Sequence, residues 1–377
     1  MQPLKGLRVV ELARILAGPW IGQTLADLGA DVIKVESPQG DDTRKWGPPW
    51  IETGGERSAA YFHACNRGKR SIIADFSTPA GADIVRKLVA RSDVLIENFK
   101  VGGLARHGLD HATLVKSNPQ LITCSVTGFG QDGPYALRPG YDFMIQGMSG
   151  IMDLTGDPAG EPQKTGVAFA DIFTGLYGVI AIQAALHERA QSGRGKHIDM
   201  ALFDAMTGVL ANQAMNYLAS GDTPKRMGNA HPNIAPYQTI RVADGHLIIA
   251  VGNDEQYVRL CQLLELDGTN TRFATNAMRV ANRGALAMMI EAKSVLWKRD
   301  DLLAALEKAV VPAGPINSVA DVFSDPQFIH RGMRIENDGV PGLRTPIRFD
   351  DGDAAAARRA PMLGEHTRQI MAELGIA

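Results

Sequence analysis

The chain has 377 residues, 45% hydrophobic and 21% charged, with a formal net charge of −2. That supplies a sizeable core for two or three structural units. The near-neutral balance gives no electrostatic reason to expect nucleic acid or an anionic membrane as partner.

The three cysteines, Cys65, Cys124 and Cys261, are far apart and form no C-x-x-C pair. They argue against a disulfide framework or zinc site and fit reducing surroundings; no metal is expected. The opening "MQPLKGLRVVELA" lacks the long apolar region of a signal peptide. No apolar run approaches bilayer-spanning length, so the expected location is cytoplasmic.

Strand signals at "LRVVELA" and "ADVIKVE" flank "GPWIGQTLADLGA", a helix punctuated by Pro19 and Gly29. Strands at "RSIIADF", "DVLIENF" and "LITCSVTGFG" then alternate with helices at "PAGADIVRKLVARS" and "HATLVKSNP". This alternation predicts an α/β fold: a Rossmann-like large domain with a mostly parallel sheet covered on both faces. After Gly140 the pattern turns to long helices. "DIFTGLYGVIAIQAALHERAQSG" reads as one helix with Asp171 near its N-cap, and "GKHIDMALFDAMTGVLANQAMNYLA" as a strand-like start and one helix.

The Gly-, Pro- and Asn-rich stretch 220–236 is a linker by composition. It bounds the first part of the large domain, 1–219. Two β-rich runs around Asp244-Gly245 signal a hairpin and open a smaller α+β domain, 237–311. The remainder, 312–377, is a return linker and the C-terminal part of the large domain.

The first βα turn, "ELARILAGPW", has only Gly18 where a dinucleotide fold needs G-x-G-x-x-G. Walker A, G-x-S-x-G and H-E-x-x-H motifs are also absent from the sequence. Loops beyond the carboxyl ends of strands line the ligand crevice in such sheets. Arg14 sits in the first βα turn, Lys69 and Arg70 precede a strand, and Asn98, Phe99, Lys100 and Arg106 fall in the loop and helix after "DVLIE". Their cations could meet phosphates, although solvated surface charge is the plainer account of any one of them.

Asp142, beside Tyr141, and Asp171 each open a helical pattern. An Asp there is ordinarily a cap. It is also chemically suited to attack an activated acyl group, because a helix N-terminus keeps it ionised and offers N–H groups to an oxyanion. The residues alone give both the same standing.

Seven segments in order resemble the class III CoA-transferases, the formyl-CoA transferase and carnitine CoA-transferase family. They are "GLRVVELARILAGPWIGQTLADLGADVIKVESPQGDDTR", "NRGKRSI", "DVLIENF", "SVTGFGQDGPYALRPGYD", "GVAFADIFTGLYG", "SGRGKHIDMALFDAM" and "VPAGPINSVADVFSDPQF". The resemblance spans almost the whole chain. It implies an interlocked, ring-like homodimer, and coenzyme A or acyl-CoA as substrate with no permanently bound cofactor.

It also implies that Asp171 attacks the acyl-CoA thioester, giving an aspartyl-acyl anhydride and then an aspartyl-CoA thioester. Around it, Ile15 and Leu16 would meet the pantetheine, Asn98 and Phe99 the adenosine, and Arg106 the phosphates. Either Lys69 or Arg70 would join them, with Arg14 and Tyr141 also at the site. Ser37 stands where some members carry a basic residue that contacts the nucleotide.

The same fold includes 2-methylacyl-CoA racemases, which need His before Asp in "GHD"; here the motif is "GYD". Tyrosine is a poor general base near neutral pH, so transfer is favoured over racemisation; Asp171 in its expected setting argues against a non-catalytic acyl-CoA-binding role. Asp142 then supports the centre rather than reacting. The segment "MGNAHPNIAPY" lacks the glycine run of formyl-CoA transferases and looks more like the branch using succinyl-CoA and other dicarboxylates, including glutarate. Arg226, Asn229, His231 and Asn233 are candidates to hold a distal carboxylate; an ordinary polar loop is the alternative.

Overall fold

The computed structural model describes residues 2–376. The chain divides into two compact units. The first comprises Met1–Ile151, Lys164–Ser220 and Pro326–Ala377; the second comprises Met152–Gln163 and Gly221–Asp325. Segments 152–163 and 312–325, expected by sequence in the large domain and the return linker, thus belong to the second unit.

The first unit is built on six strands: β1 (Arg8–Glu11), β2 (Asp31–Glu36), β3 (Arg70–Ile73), β4 (Val94–Glu97), β5 (Ile122–Thr127) and β6 (His197–Ala201). All are parallel, in the order β3-β2-β1-β4-β5-β6. This is a doubly wound sheet whose strand order reverses between β1 and β4, where such folds open a crevice. Its central strands are apolar runs with both faces covered, as a parallel sheet requires. Val9, Val94, Ile96 and Ile122 belong to one core cluster, and Val10, Ile33, Ile72 and Leu95 to another.

Helix α1 (Ala17–Asp27) follows β1, and α2 (Pro79–Val89) follows β3. The α2 start combines Pro79 at its first position with Thr78, whose hydroxyl accepts the Gly81 N–H at 3.1 Å. Two later helices, α3 (Asp142–Met148) and α4 (Phe169–Ser192), carry the two Asp residues. Gly193 ends α4 in the left-handed conformation and returns its N–H to Arg189 O at 2.8 Å.

By length and composition α4 could cross a bilayer, contrary to the sequence expectation. Its residues Val179, Ile182 and Ala185 nevertheless pack into the same core as β1 and β5. The approach of α1 to α4 needs Gly178, where a Cβ would lie 2.5 Å from Ile21 Cδ1.

The single helix expected after β6 is two, α5 (Leu202–Gly208) and α6 (Ala211–Ser220). Ala211 at φ 47° interrupts the helical path between them. The second unit holds a hairpin, β7 (Tyr237–Val242) and β8 (Gly245–Ala250), with Ala243 and Asp244 as the loop. Strand β9 (Ala313–Pro315) pairs antiparallel with β8. A separate core, including Leu247, Ile249, Leu260 and Leu302, stabilises this unit.

Candidate active site

A cavity of about 970 Å³ opens at the β1/β4 reversal, within the size range of small-molecule sites. The turn after β1 supplies Arg14, Ile15 and Leu16 to its wall, and the loop after β4 supplies Asn98, Phe99 and Arg106. Tyr141, Asp142 and Asp171 complete it from the starts of α3 and α4. Residues distant in sequence meet here because both loops leave carboxyl ends of adjacent parallel strands. Gly128 and Gly140 let the β5 end touch the 138–142 segment. A Cβ on Gly128 would fall 2.5 Å from Gly140 Cα.

The two carboxylates separate clearly by their bonds. Asp142 is the first residue of α3, yet it serves α4: its Oδ1 accepts the Ala170 N–H at 2.9 Å, and its Oδ2 accepts Gln146 Nε2 at 2.8 Å. Ala168, the N-cap residue of α4, contributes no side-chain cap, so an Asp from a neighbouring helix fills that role. Asp171 lies inside the first turn, where the helix field favours a negative charge. Among the described residues no hydrogen-bond donor reaches its carboxylate. Burial, and then the Asp142 charge, push Asp171 up to about 7. A half-buried carboxylate with no partner, lining a cavity and titrating near neutrality, is equipped to react.

Below the β1 turn lies a buried ionic network that sequence reading missed. Lys34 Nζ bonds Glu11 Oε1 at 3.1 Å, Ala13 O at 2.9 Å and Asp41 Oδ2 at 2.9 Å. Lys69 Nζ meets both Glu11 oxygens at 2.8–2.9 Å and also bonds Pro19 O and Asn66 Oδ1. Asp41 accepts the Ile15 N–H at 3.3–3.4 Å. Ile15 has φ 73°, a left-handed conformation costing a β-branched residue roughly 1–3 kcal/mol. Asn98 clamps the preceding residue, accepting from Arg14 N at 2.9 Å and donating to Arg14 O at 2.7 Å.

Arg14, Ile15, Leu16, Asn98, Phe99, Arg106, Tyr141 and Asp171 are therefore brought together, while Lys69 and Arg70 are not. Lys69 is fully buried with its ammonium taken by Glu11. Arg70, the first residue of β3, points to the other end of the sheet and pairs with Asp31 at 2.6 Å and Glu373 at 2.7 Å. The loop preceding a strand is at the wrong end of a parallel sheet for this crevice.

Other cations do line the cavity: Lys45, Lys100 and Arg138, like Arg106, have no carboxylate partner among the described residues. Tyr61, unremarked in sequence, lies in the field of the site. Its phenol is pushed up by burial and then by the Asp171 charge, so it stays a neutral donor.

In the second unit Arg226 is engaged locally. It donates to the carbonyls of Asp153, Asp157 and Gly160 and pairs with Asp153 at 3.2 Å. Asn229 donates to Thr239 Oγ1 at 3.3 Å, and His231 Nδ1 accepts the Asn233 N–H at 3.1 Å. These four candidates are thus bonded within their own unit.

The family model described as CoA-transferase family III matches residues 4–367. A succinate–glutarate CoA-transferase of Agrobacterium fabrum is 56% identical, the match covering 99% of this chain and 96% of that protein. A succinyl-CoA:glutarate CoA-transferase of Mus musculus is 40% identical, covering 99% and 87%. Among solved structures, a CaiB/BaiF family protein from Brucella suis superposes with a TM-score of 0.90 at 70% identity, covering 99% of each chain.

Proposed function

The chain belongs to CoA-transferase family III, and on that footing we propose that it moves CoA from succinyl-CoA to a dicarboxylate such as glutarate through covalent intermediates on Asp171. The names of the Agrobacterium and mouse relatives support this substrate pair. The observation that carries the mechanism is the Asp171 carboxylate, half-buried and without a donor in the cavity at the strand-order reversal.

Asp171 attacks the thioester carbonyl, forming a succinyl-aspartyl anhydride and expelling CoA thiolate. The thiolate then attacks the aspartyl carbonyl, giving aspartyl-CoA thioester and free succinate. Glutarate attacks that thioester to form the glutaryl-aspartyl anhydride and release the thiolate, which takes the glutaryl carbonyl and frees Asp171. One thioester is broken and one formed, with no water consumed, so the site must exclude water. Attack needs the ionised carboxylate, and a carboxylate titrating near 7 is a stronger nucleophile than an ordinary one. The unpaired cations Lys45, Lys100, Arg106 and Arg138 suit the phosphates of CoA and the distal carboxylate.

Protein quenched during turnover with succinyl-CoA and glutarate should carry CoA on the peptide holding Asp171, read by mass spectrometry. An adduct on another residue, or exchange with no adduct, would defeat this mechanism.

The working form in this reading is an interlocked homodimer. Leu176, Tyr177 and Ile180 on α4 and Met215, Tyr217 and Leu218 on α6 are exposed large apolar residues, a concentration that monomers ordinarily cover. Light scattering at assay concentration should give twice the chain mass; a monomeric active enzyme would remove the dimer from the proposal.

A further inference from the structure

Resting on the transferase reading above, we propose that Asp41 is a positioning residue for the reaction: its buried carboxylate, anchored by Lys34, holds Ile15 in the left-handed conformation and so fixes a wall of the cavity that Asp171 also lines. Asp41 never reaches the cavity surface. It is 1% exposed and absent from the cavity lining, so its influence runs through Ile15.

Three observations meet at this residue. The first is the conformation of Ile15. A turn at φ 73° is ordinarily built with glycine; an isoleucine persists there only where its surroundings over-determine it. Ile15 lines the cavity, which gives a use for the strain.

The second is how completely the turn is held. Asn98 fixes both backbone groups of Arg14. Asp41 takes the Ile15 N–H, and Cys65 Sγ lies 3.4 Å from Ile15 O. Helix α1 begins two residues later, with no side-chain cap. The direction in which that helix start faces the cavity therefore depends on this turn.

The third is the anchoring of Asp41 itself. It accepts from Thr43 N at 3.0 Å and Thr43 Oγ1 at 2.8 Å, and pairs with Lys34 at 2.9 Å. Burial alone would raise its carboxyl, but the Lys34 charge and the Thr43 donors outweigh burial and hold it at about 2. It is therefore a fixed anion across the working pH range. Lys34 is in turn tied to Glu11 and Ala13 O. Four buried side chains, Glu11, Lys34, Asp41 and Lys69, thus form one continuous support beneath a single strained turn.

The test compares Asp41→Ala, Asp41→Asn and Thr43→Val, each checked for folding by thermal unfolding. Two readouts are used: succinyl-CoA-to-glutarate turnover, and amide hydrogen exchange over residues 13–17. Asp41→Ala removes the acceptor and should lower kcat about 100-fold, the scale of a misplacement near 1 Å. KM for succinyl-CoA should change less than kcat, and exchange over 13–17 should quicken while β4 and β5 stay protected. Asp41→Asn keeps a neutral acceptor for Ile15 N–H and should recover about tenfold of that loss.

Thr43→Val loosens Asp41 without leaving an unpaired buried charge. It keeps the test decisive if the alanine variant fails to fold, and should show a kcat loss of about threefold to tenfold with the same local exchange. Folded variants with unchanged kcat, lost kcat without faster exchange over 13–17, or an asparagine variant no better than alanine would overturn the proposal. Wild-type protein that moves no CoA between succinate and glutarate would instead overturn the transferase reading; exchange over 13–17 then decides alone whether Asp41 holds Ile15.

Discussion

The two ends of the parallel sheet each carry an arginine-lined cavity, and they differ in what their charges are doing. At the amino ends of the strands Arg8 and Arg70 line a cavity of about 440 Å³ with Asp31 and Glu373. The Arg8 and Arg70 guanidinium groups there pair with both carboxylates, at 2.6–3.4 Å, and among the described residues only Arg358 of that lining's arginines lacks a carboxylate partner. At the carboxyl ends, Lys45, Lys100, Arg106 and Arg138 face a larger cavity with no carboxylate partner among the described residues. Paired charges have spent their attraction on each other and tie the C-terminal helix (Thr367–Leu374) to the sheet edge. Unpaired cations around an unbonded carboxylate remain available to a polyanionic substrate. Among the described residues the carboxyl end keeps four such cations and the amino end one, although Arg14 at the carboxyl end is itself paired with Asp42.

The largest effect that could break this contrast is loss of Asp171. Asp171→Ala should lower turnover by about 10⁴-fold or more, as removal of a covalent nucleophile does, while CoA affinity by calorimetry stays within about threefold. A variant retaining a tenth of wild-type turnover would mean another group reacts.

Next in size is the arginine pair that compares the ends directly. Arg106→Ala should weaken CoA binding about tenfold or more, the worth of a charge-assisted hydrogen bond, and should flatten the salt dependence of binding. Arg70→Ala should leave CoA affinity within about twofold. Its cost falls on stability, because Asp31 and Glu373 lose their common partner. Equal losses of affinity in the two variants would erase the distinction between the ends.

Smaller again is the pH effect of Asp142. Its charge helps to raise Asp171, so kcat/KM should rise with pH and level off above about 7. Asp142→Asn keeps an oxygen for the Ala170 N–H but removes the charge, and should move that acid limb down by roughly one pH unit. An unmoved limb would leave burial as the whole cause.

This contrast also explains what could be read from the sequence. Alternating strand and helix signals pointed to the parallel sheet, and the Asp244-Gly245 signal to the hairpin, because both are local patterns. The loops after β1 and β4 were legible as a site because a doubly wound sheet puts its crevice there. Lys69 and Arg70 were misjudged for a local reason: two cations before a strand look alike in sequence whether they face solvent, ligand or a buried Glu11. Their partners Glu11, Asp31 and Glu373 are 39 to 303 positions away. Asp142 and Asp171 could not be separated by helix position, since each lies in the first turn of a helix. The difference lies in the Ala170 N–H, which bonds to the carboxylate 28 positions earlier.

The smallest prediction concerns what the unpaired carboxylate does to folding. Asp171 is raised from an ordinary 3.8 to about 7 in the fold, so between those values the native state holds a proton that the unfolded chain has released. Stability from this group therefore falls as pH rises through that window, and its full cost is present above about 7. Asp171→Asn cannot ionise and escapes that cost. Its thermal stability relative to wild type should be greater at pH 8 than at pH 5, by on the order of 1–2 kcal/mol once solvent screening of a half-buried group is allowed for. Asp31→Asn, at the paired end, should lower stability instead, because it weakens the bonds of that carboxylate to Arg8 and Arg70. Equal gains at both pH values would mean that Asp171 carries no native-state proton at neutrality. Its reactivity would then have to arise from substrate binding rather than from the cavity as built.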